Sequence, residues 1–210
     1  MPPALAKNYA TLRRRLLYGG RLAEELRVTT ITVAGKCVLN LAAGGGEWDV
    51  ALFRSGAARV IWIDPCPEML RHSLTLHREQ NVRSEYIRGT MENLPLASAS
   101  VDVVLCHQAI YHAKSERRVC TEIWRVLRKD GVLWLRTDSI GRLSRDHFPW
   151  WKRPILACTP LLAYAIGVKV LPTRFALIPL LRRTLKHCGF EELRVETTGI
   201  AVYDFFGVKR

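Results

Sequence analysis

Along this chain, short runs of Val, Ile and Leu alternate with longer stretches whose apolar residues recur at helical spacing. That alternation predicts an α/β fold, a mostly parallel sheet with helices on both faces. The first run, Lys36 to Leu41, leads into Ala42-Ala43-Gly44-Gly45-Gly46 and then a helix through Leu52 that Gly56 is placed to end. Val60 to Ile63 reads as the second strand and closes on Asp64, and Pro67 suits the first turn of the next helix. Ser84 to Arg88, Val101 to Cys106 and Val132 to Thr137 read as strands three to five, with a helix from Ser115 to Arg128 stopped by Lys129-Asp130-Gly131. A helix ending at His187-Cys188-Gly189 and two further runs, 193–198 and 200–206, complete a seven-stranded pattern. The last two runs are joined too tightly to be parallel, so one of them must run antiparallel to its neighbour.

Between the fifth strand and the last helix the rhythm breaks. Residues 138–175 carry Trp150, Trp151 and several prolines, which suits a small helical cap over the open end of the sheet. The expected organisation is one domain: a helical leader (1–35), a core (36–137), the cap (138–175) and a closing helix with its strand pair (176–210). A length of 210 residues agrees with a single core. The longest uncharged apolar stretch, Pro154 to Val168, is about fifteen residues, short of the roughly twenty that span a bilayer. The N-terminus lacks the basic-then-apolar order of a secretory signal. Six scattered cysteines with no C-x-x-C pair read as free thiols of a reducing compartment, so the expectations are a cytoplasmic protein and no metal site.

The chemistry begins at the glycines. A strand, a glycine-rich turn and a helix aim backbone N–H groups at a ligand, and an acid about twenty residues on, at the end of the second strand, is where a ribose offers two hydroxyls. Asp64 stands twenty residues after Gly44. A dinucleotide fingerprint would carry Gly or Ala three positions after Gly46; the residue there is Asp49, which argues for a cofactor with an uncharged linker instead of a pyrophosphate.

Four blocks within residues 36–137 carry a family resemblance. They are Val38-Leu39-Asn40-Leu41-Ala42-Ala43-Gly44-Gly45-Gly46, then Ile61-Trp62-Ile63-Asp64-Pro65-Cys66-Pro67-Glu68-Met69-Leu70, then Gly89-Thr90-Met91-Glu92-Asn93-Leu94-Pro95-Leu96, and finally Glu122-Ile123-Trp124-Arg125-Val126-Leu127-Arg128-Lys129-Asp130-Gly131. In this order they resemble the class I S-adenosylmethionine-dependent methyltransferases of the small-molecule, quinone-methyltransferase-like type. The resemblance implies a Rossmann-like seven-stranded sheet and S-adenosylmethionine as cofactor. It implies that Asp64 holds the ribose, that Pro65 and Met69 flank the adenine with Met91 and Glu92 at its edge, and that the turn from Ala42 through Gly44 to Gly46 faces the methionine part. Tyr9 and Tyr18 fall in a leader that folds over the cofactor in this family. Two positions depart from the pattern: the family acids are Asn40 and Thr90 here, which replaces two charge-assisted contacts with neutral ones, each weaker by roughly 1 kcal/mol.

Methyl transfer from a sulfonium depends mainly on positioning, and a base helps only where the acceptor must lose a proton. His107, Tyr111 and His112 follow the fourth strand, where open α/β sheets bind ligands, and His147 lies in the cap. The apolar cap suits a small aromatic, terpenoid, quinone-like or lipid acceptor, methylated on O, N or C. The formal charge of +13 raises an RNA or tRNA acceptor as the alternative, but Cys106-His107-Gln108-Ala109 is not the Asn/Asp-Pro-Pro-aromatic turn of exocyclic-amine methylases. Nucleic acid is thereby disfavoured. A non-catalytic binding protein on the same fold is the third reading, motivated by Asn40 and Thr90. Because Lys and Arg are spread over nearly every helix, the charge reads chiefly as solvated surface, with peripheral membrane contact and a monomer or homodimer left open.

Overall fold

A computed structural model describes residues 21–29, 31–138, 178–197 and 202–210. The elements run α1 (Arg21–Val28), β1 (Cys37–Leu41), α2 (Glu47–Arg54), β2 (Arg59–Ile63), α3 (Pro67–Gln80), β3 (Glu85–Ile87), β4 (Val101–His107), a 3-10 turn (Ile110–His112), α4 (Glu116–Val126), β5 (Leu127–Asp138), α5 (Ile178–His187), β6 (Phe190–Thr197) and β7 (Val202–Lys209). The expected cap beyond Asp138, with His147, Trp150, Trp151 and Cys158, and the leader's Tyr9 and Tyr18 lie outside the described residues.

The seven strands form one sheet in the order β3-β2-β1-β4-β5-β7-β6. β3 through β5 are parallel, and β7 runs antiparallel to both β5 and β6, as the tight connection before it requires. The chain moves outward from β1 in one direction through β2 and β3, then returns to its other side at β4. The crevice at the C-terminal ends of β1 and β4 is therefore the switch point where open sheets of this kind hold ligands.

Strand alternation sorts the core into two layers. Leu39, Leu41, Ile61, Ile63, Val104, Cys106, Leu133, Leu135 and Phe205 pack against Val119, Cys120, Ile123 and Val126 of α4 and Leu181 and Leu185 of α5. Val38, Val60, Val103, Leu105, Trp134 and Phe206 pack on the other face against Leu22 and Leu26 of α1, Trp48, Ala51 and Leu52 of α2 and Leu76 of α3. Helix ends follow local chemistry: Pro67 opens α3, Asn81 closes it at φ +51°, and the Ser115 hydroxyl accepts the Arg118 N–H at 3.3 Å to cap α4. Several boundaries shift from the sequence reading. α4 stops at Val126, because Leu127 already pairs with Val101, and β5 begins there. β6 and β7 start at Phe190 and Val202, with Phe190 buried beneath Gly207.

The five described cysteines are free. Burial pushes the Cys106 thiol up to about 12 and holds Cys120 well above its ordinary value, so both behave as small apolar core residues. Among the described residues no helix is long and apolar enough to cross a membrane.

One set of polar contacts joins two of the blocks quoted above. The Glu122 carboxylate accepts the Leu94 N–H at 2.8 Å, and Arg125, paired with Glu122 at 2.8 Å, donates to the carbonyls of Leu96 (2.7 Å) and Leu94 (3.0 Å). These bonds add to the apolar packing of Leu94 and Leu96 against the α4 layer and fix the 94–96 turn. Arg125→Ala removes two charge-assisted bonds to backbone carbonyls and is expected to lower stability by about 2 kcal/mol. Urea unfolding measures it, and Arg125→Lys, which cannot fork, should recover less than half of the loss.

Candidate active site

The turn after β1 is held in an unusual backbone path. Ala42, Gly44 and Gly46 all have left-handed φ, at +55°, +57° and +81°. Glycine tolerates this region freely, whereas Ala42 carries a strain of roughly 1–2 kcal/mol. The surrounding fold fixes that path from several sides. The Ala43 N–H reaches the Ile63 carbonyl at 3.0 Å, and the Gly44 N–H reaches Asp64 Oδ2 at 3.0 Å. The Gly44 carbonyl accepts Trp62 Nε1–H at 3.1 Å, and the Gly46 carbonyl accepts His77 Nε2–H at 3.0 Å.

Asp64 is 8% exposed at the end of β2. Its second oxygen, Oδ1, accepts the Cys66 N–H at 2.8 Å. Both oxygens are thus oriented by the backbone, and each keeps a further lone pair. Burial is the largest influence and raises the carboxyl above its usual 3.8, opposed by the two backbone N–H bonds and by the charge of a protonated His112. Pro65 is exposed at the rim. Met69 is 1% exposed and packs with Ala43 and Trp62 beneath the turn, so it supports the site from below. Met91 is buried in the α4 layer, Glu92 Oε1 accepts the Lys114 N–H at 2.7 Å, and Thr90 is exposed beside its bridge to Asn93.

The candidate bases belong to different layers. His107 ends β4 on the α1/α2 side, with its ring edge-on to Trp48 (4.6 Å) and Trp134 (4.2 Å). Next to it in register, Arg136 is bound by Asp204 at 2.7 and 2.9 Å and by Glu25 of α1, while Trp134 Nε1 also donates to Asp204 at 2.8 Å. His112 lies on the other side of the turn, exposed, with its ring 4.5 Å from that of Tyr111 and within electrostatic reach of Asp64. Partial burial lowers the His112 pKa and Asp64 acts against that shift, so at neutral pH the imidazole is mainly uncharged.

Asp49, read in the sequence as a poor neighbour for a pyrophosphate, is fully buried on the first turn of α2. There Oδ1 accepts Asn40 Nδ2–H at 2.5 Å and Oδ2 accepts the Ser84 hydroxyl at 2.7 Å. A carboxylate is therefore present one layer behind the position that the family's acid occupies. Sequence reasoning missed Trp62, His77 and Glu47. The Glu47 carboxylate is buried over the turn, where a Cβ at Gly45 would lie 2.5 Å from its Oε1. A signal for His77 was present: it follows Met69, Ser73 and Leu76 on the buried face of α3.

Known proteins agree with this geometry. Residues 39–135 match the methyltransferase domain family. Malonyl-[acyl-carrier protein] O-methyltransferase of Pectobacterium atrosepticum is 32% identical over 117 residues, covering 56% of this chain and 44% of that protein. The uncharacterized methyltransferase YcgJ of Bacillus subtilis is 32% identical over 95 residues, covering 45% and 37%. The match therefore spans less than half the length of either relative. In fold, a SAM-dependent methyltransferase of Aquifex aeolicus superposes with a TM-score of 0.67 at 16% identity, covering 96% of this chain and 98% of that one. Strand order, glycine turn and the acid at the end of β2 agree with that match, and the core of this chain, residues 39–135, is similar in sequence and fold to S-adenosylmethionine-dependent methyltransferases.

Proposed function

We propose that this chain transfers a methyl group from S-adenosylmethionine to a small, largely apolar acceptor. The observation that carries the reading is the Asp64 carboxylate, pinned by two backbone N–H groups beside the glycine turn at the sheet's switch point. That donor set fits a nucleoside with an uncharged linker: two oriented carboxylate oxygens for vicinal hydroxyls, a turn without side chains at 44–46, and apolar neighbours at Met91 and Leu94. Asn40 has its Nδ2–H committed to Asp49, which leaves its carbonyl oxygen as the group free to accept from an ammonium. When bound, the cofactor supplies a methyl group activated by a sulfonium.

The residues of the chain bind, orient and exclude water. The Trp48 and Trp134 indoles surround His107 at the end of β4 with apolar surface. Arg136 is saturated by Asp204 and Glu25, so its charge is directed at those carboxylates and not at an acceptor. His112, uncharged at neutral pH, is the group suited to take a proton from a hydroxyl or ammonium acceptor. The apolar sequence of residues 154–168 supports a hydrophobic acceptor.

Thermal unfolding tests the cofactor. S-adenosylhomocysteine at a hundred times its Kd adds about 2.7 kcal/mol, or roughly 5–10 °C for a domain of this size, whereas NADH should add nothing. No shift with S-adenosylhomocysteine would remove the proposal, and Asp64→Ala should abolish the shift while leaving the fold intact. Transfer of a radiolabelled methyl group to solvent-extractable acceptors, with bulk RNA unlabelled, is the expected outcome for the substrate class.

The raised pKa of Asp64 sets a pH dependence. The ribose hydroxyls donate to the ionised form, so affinity is full at neutral pH and is lost as pH falls through the Asp64 pKa. Because that value is raised, the loss begins at a higher pH than for an ordinary aspartate. The same shift means that ionising Asp64 in the empty protein opposes folding as pH rises, a cost that cofactor binding offsets. Calorimetric titration of S-adenosylhomocysteine between pH 4.5 and 8 (~0.5 steps) checks the direction.

A further inference from the structure

Behind the glycine turn lies a buried polar group that the proposed chemistry does not use. His77 is 2% exposed on α3, and its two ring nitrogens are both engaged. Nε2 lies 3.0 Å from the Gly46 carbonyl oxygen and Nδ1 lies 2.5 Å from the Tyr86 hydroxyl. A carbonyl can only accept, so Nε2 carries the hydrogen; in the neutral ring Nδ1 then accepts from Tyr86. Asp49 Oδ2 stands 3.6 Å from Nε2 and is held in turn by Ser84, while Asp49 Oδ1 holds Asn40. Elements α2, α3, β1 and β3 thus meet at this one imidazole.

The fit around Gly46 is close. A Cβ there would come within 2.4 Å of Ser73 Oγ and 2.5 Å of His77 Nε2, so α3 presses directly on the turn's last residue. The Gly46 carbonyl also accepts the Asp49 N–H (3.1 Å) and the Val50 N–H (3.4 Å), the first bonds of α2. The His77 bond therefore sets both the direction of that carbonyl and the start of the helix. With that carbonyl turned inward and the Ala43, Gly44 and Gly46 N–H groups bonded within the fold, the first N–H groups of α2 are what this end of the turn offers to the carboxylate of an amino-acid chain.

We propose that His77, fixed in its Nε2–H tautomer between the Gly46 carbonyl and the Tyr86 hydroxyl and backed by Asp49, is the positioning residue that shapes the turn for the amino-acid end of the cofactor. This rests on the cofactor reading above. It makes a selective prediction, because Asp64 holds the turn at Gly44, whereas His77 holds it two residues on, at Gly46 where α2 begins. Loss of His77 should weaken ligands that possess the amino-acid end and spare those that lack it.

The test compares S-adenosylhomocysteine with 5′-methylthioadenosine, which keeps the nucleoside and the sulfur but has no amino-acid end. Calorimetric Kd values are measured for the wild type, His77→Gln, His77→Asn and His77→Leu, each with its melting temperature. Gln reaches the Gly46 carbonyl with its own N–H, whereas Asn reaches only the Tyr86 side. The expected result is S-adenosylhomocysteine binding within about threefold of wild type for Gln and weakened about tenfold for Asn and Leu. Methylthioadenosine should change by less than about twofold in all three. If Leu does not fold, the Gln and Asn pair still decides the matter. Equal losses for both ligands, or no loss in Asn, would overturn the proposal while leaving the cofactor assignment standing. Failure of the wild type to bind S-adenosylhomocysteine would overturn both.

Discussion

The architecture of the site depends on one constraint: the backbone between β1 and α2 must turn through three left-handed residues, at 42, 44 and 46, within five positions. Such a path is not self-supporting, since only the glycines adopt it without cost and a turn of glycines alone has many alternatives. It is held from outside. Asp64 takes the Gly44 N–H, Trp62 takes the Gly44 carbonyl and His77 takes the Gly46 carbonyl. The holding groups sit on β2 and α3, so the second βα unit is what gives the first its shape. An Ala at 42 is tolerated because these contacts determine the conformation there.

The same economy recurs on the other side of the crevice. The turn at 94–96 is bonded to α4 through Glu122 and Arg125, and Asp102 joins the start of β1 to Arg128 through bonds of 2.8 Å each. At the β5 end, Arg136 gathers Glu25, Asp204 and the face of Trp134. In each case a charged side chain closes on backbone or on its opposite charge, so these groups serve the fold. Among the described residues, other arginines lie on exposed helix surface, as with Arg117, Arg118, Arg182 and Arg183.

Asn40 illustrates how a family pattern can be altered without losing its logic. Substituting an amide for the acid removes a charge facing the crevice, yet Asp49, nine residues on, returns a carboxylate to the layer behind it. Burial favours the protonated form of Asp49, while the charge of His77 when that ring is protonated, and the bonds from Asn40 and Ser84 in either case, favour the charged one. Its direct role is to orient the amide and the imidazole, and any influence on a bound cofactor passes through those two groups.

The sequence by itself determined the elements and their layering. Apolar runs of four to seven residues separated by helical spacing leave few alternatives to a covered parallel sheet, and the interval from Gly44 to Asp64 marks the acid that the fold bonds to the glycine turn. Its limits appear where a side chain's meaning depends on which way it points. Asp49 reads as a deterrent to phosphate in the linear chain, and only the fold turns it inward towards Asn40 and Ser84. His107 and His112, five residues apart, read as one cluster, but a strand end and a 3-10 turn send them to opposite layers. His77 and Trp62 read in the sequence only as buried positions of a helix and a strand; their partners lie 31 and 18 residues away, and such contacts exist only once β2 and α3 have packed beside the turn. Periodicity reports burial, which is a local property of each element. Hydrogen-bond direction is decided by the juxtaposition of elements, and that is settled in three dimensions.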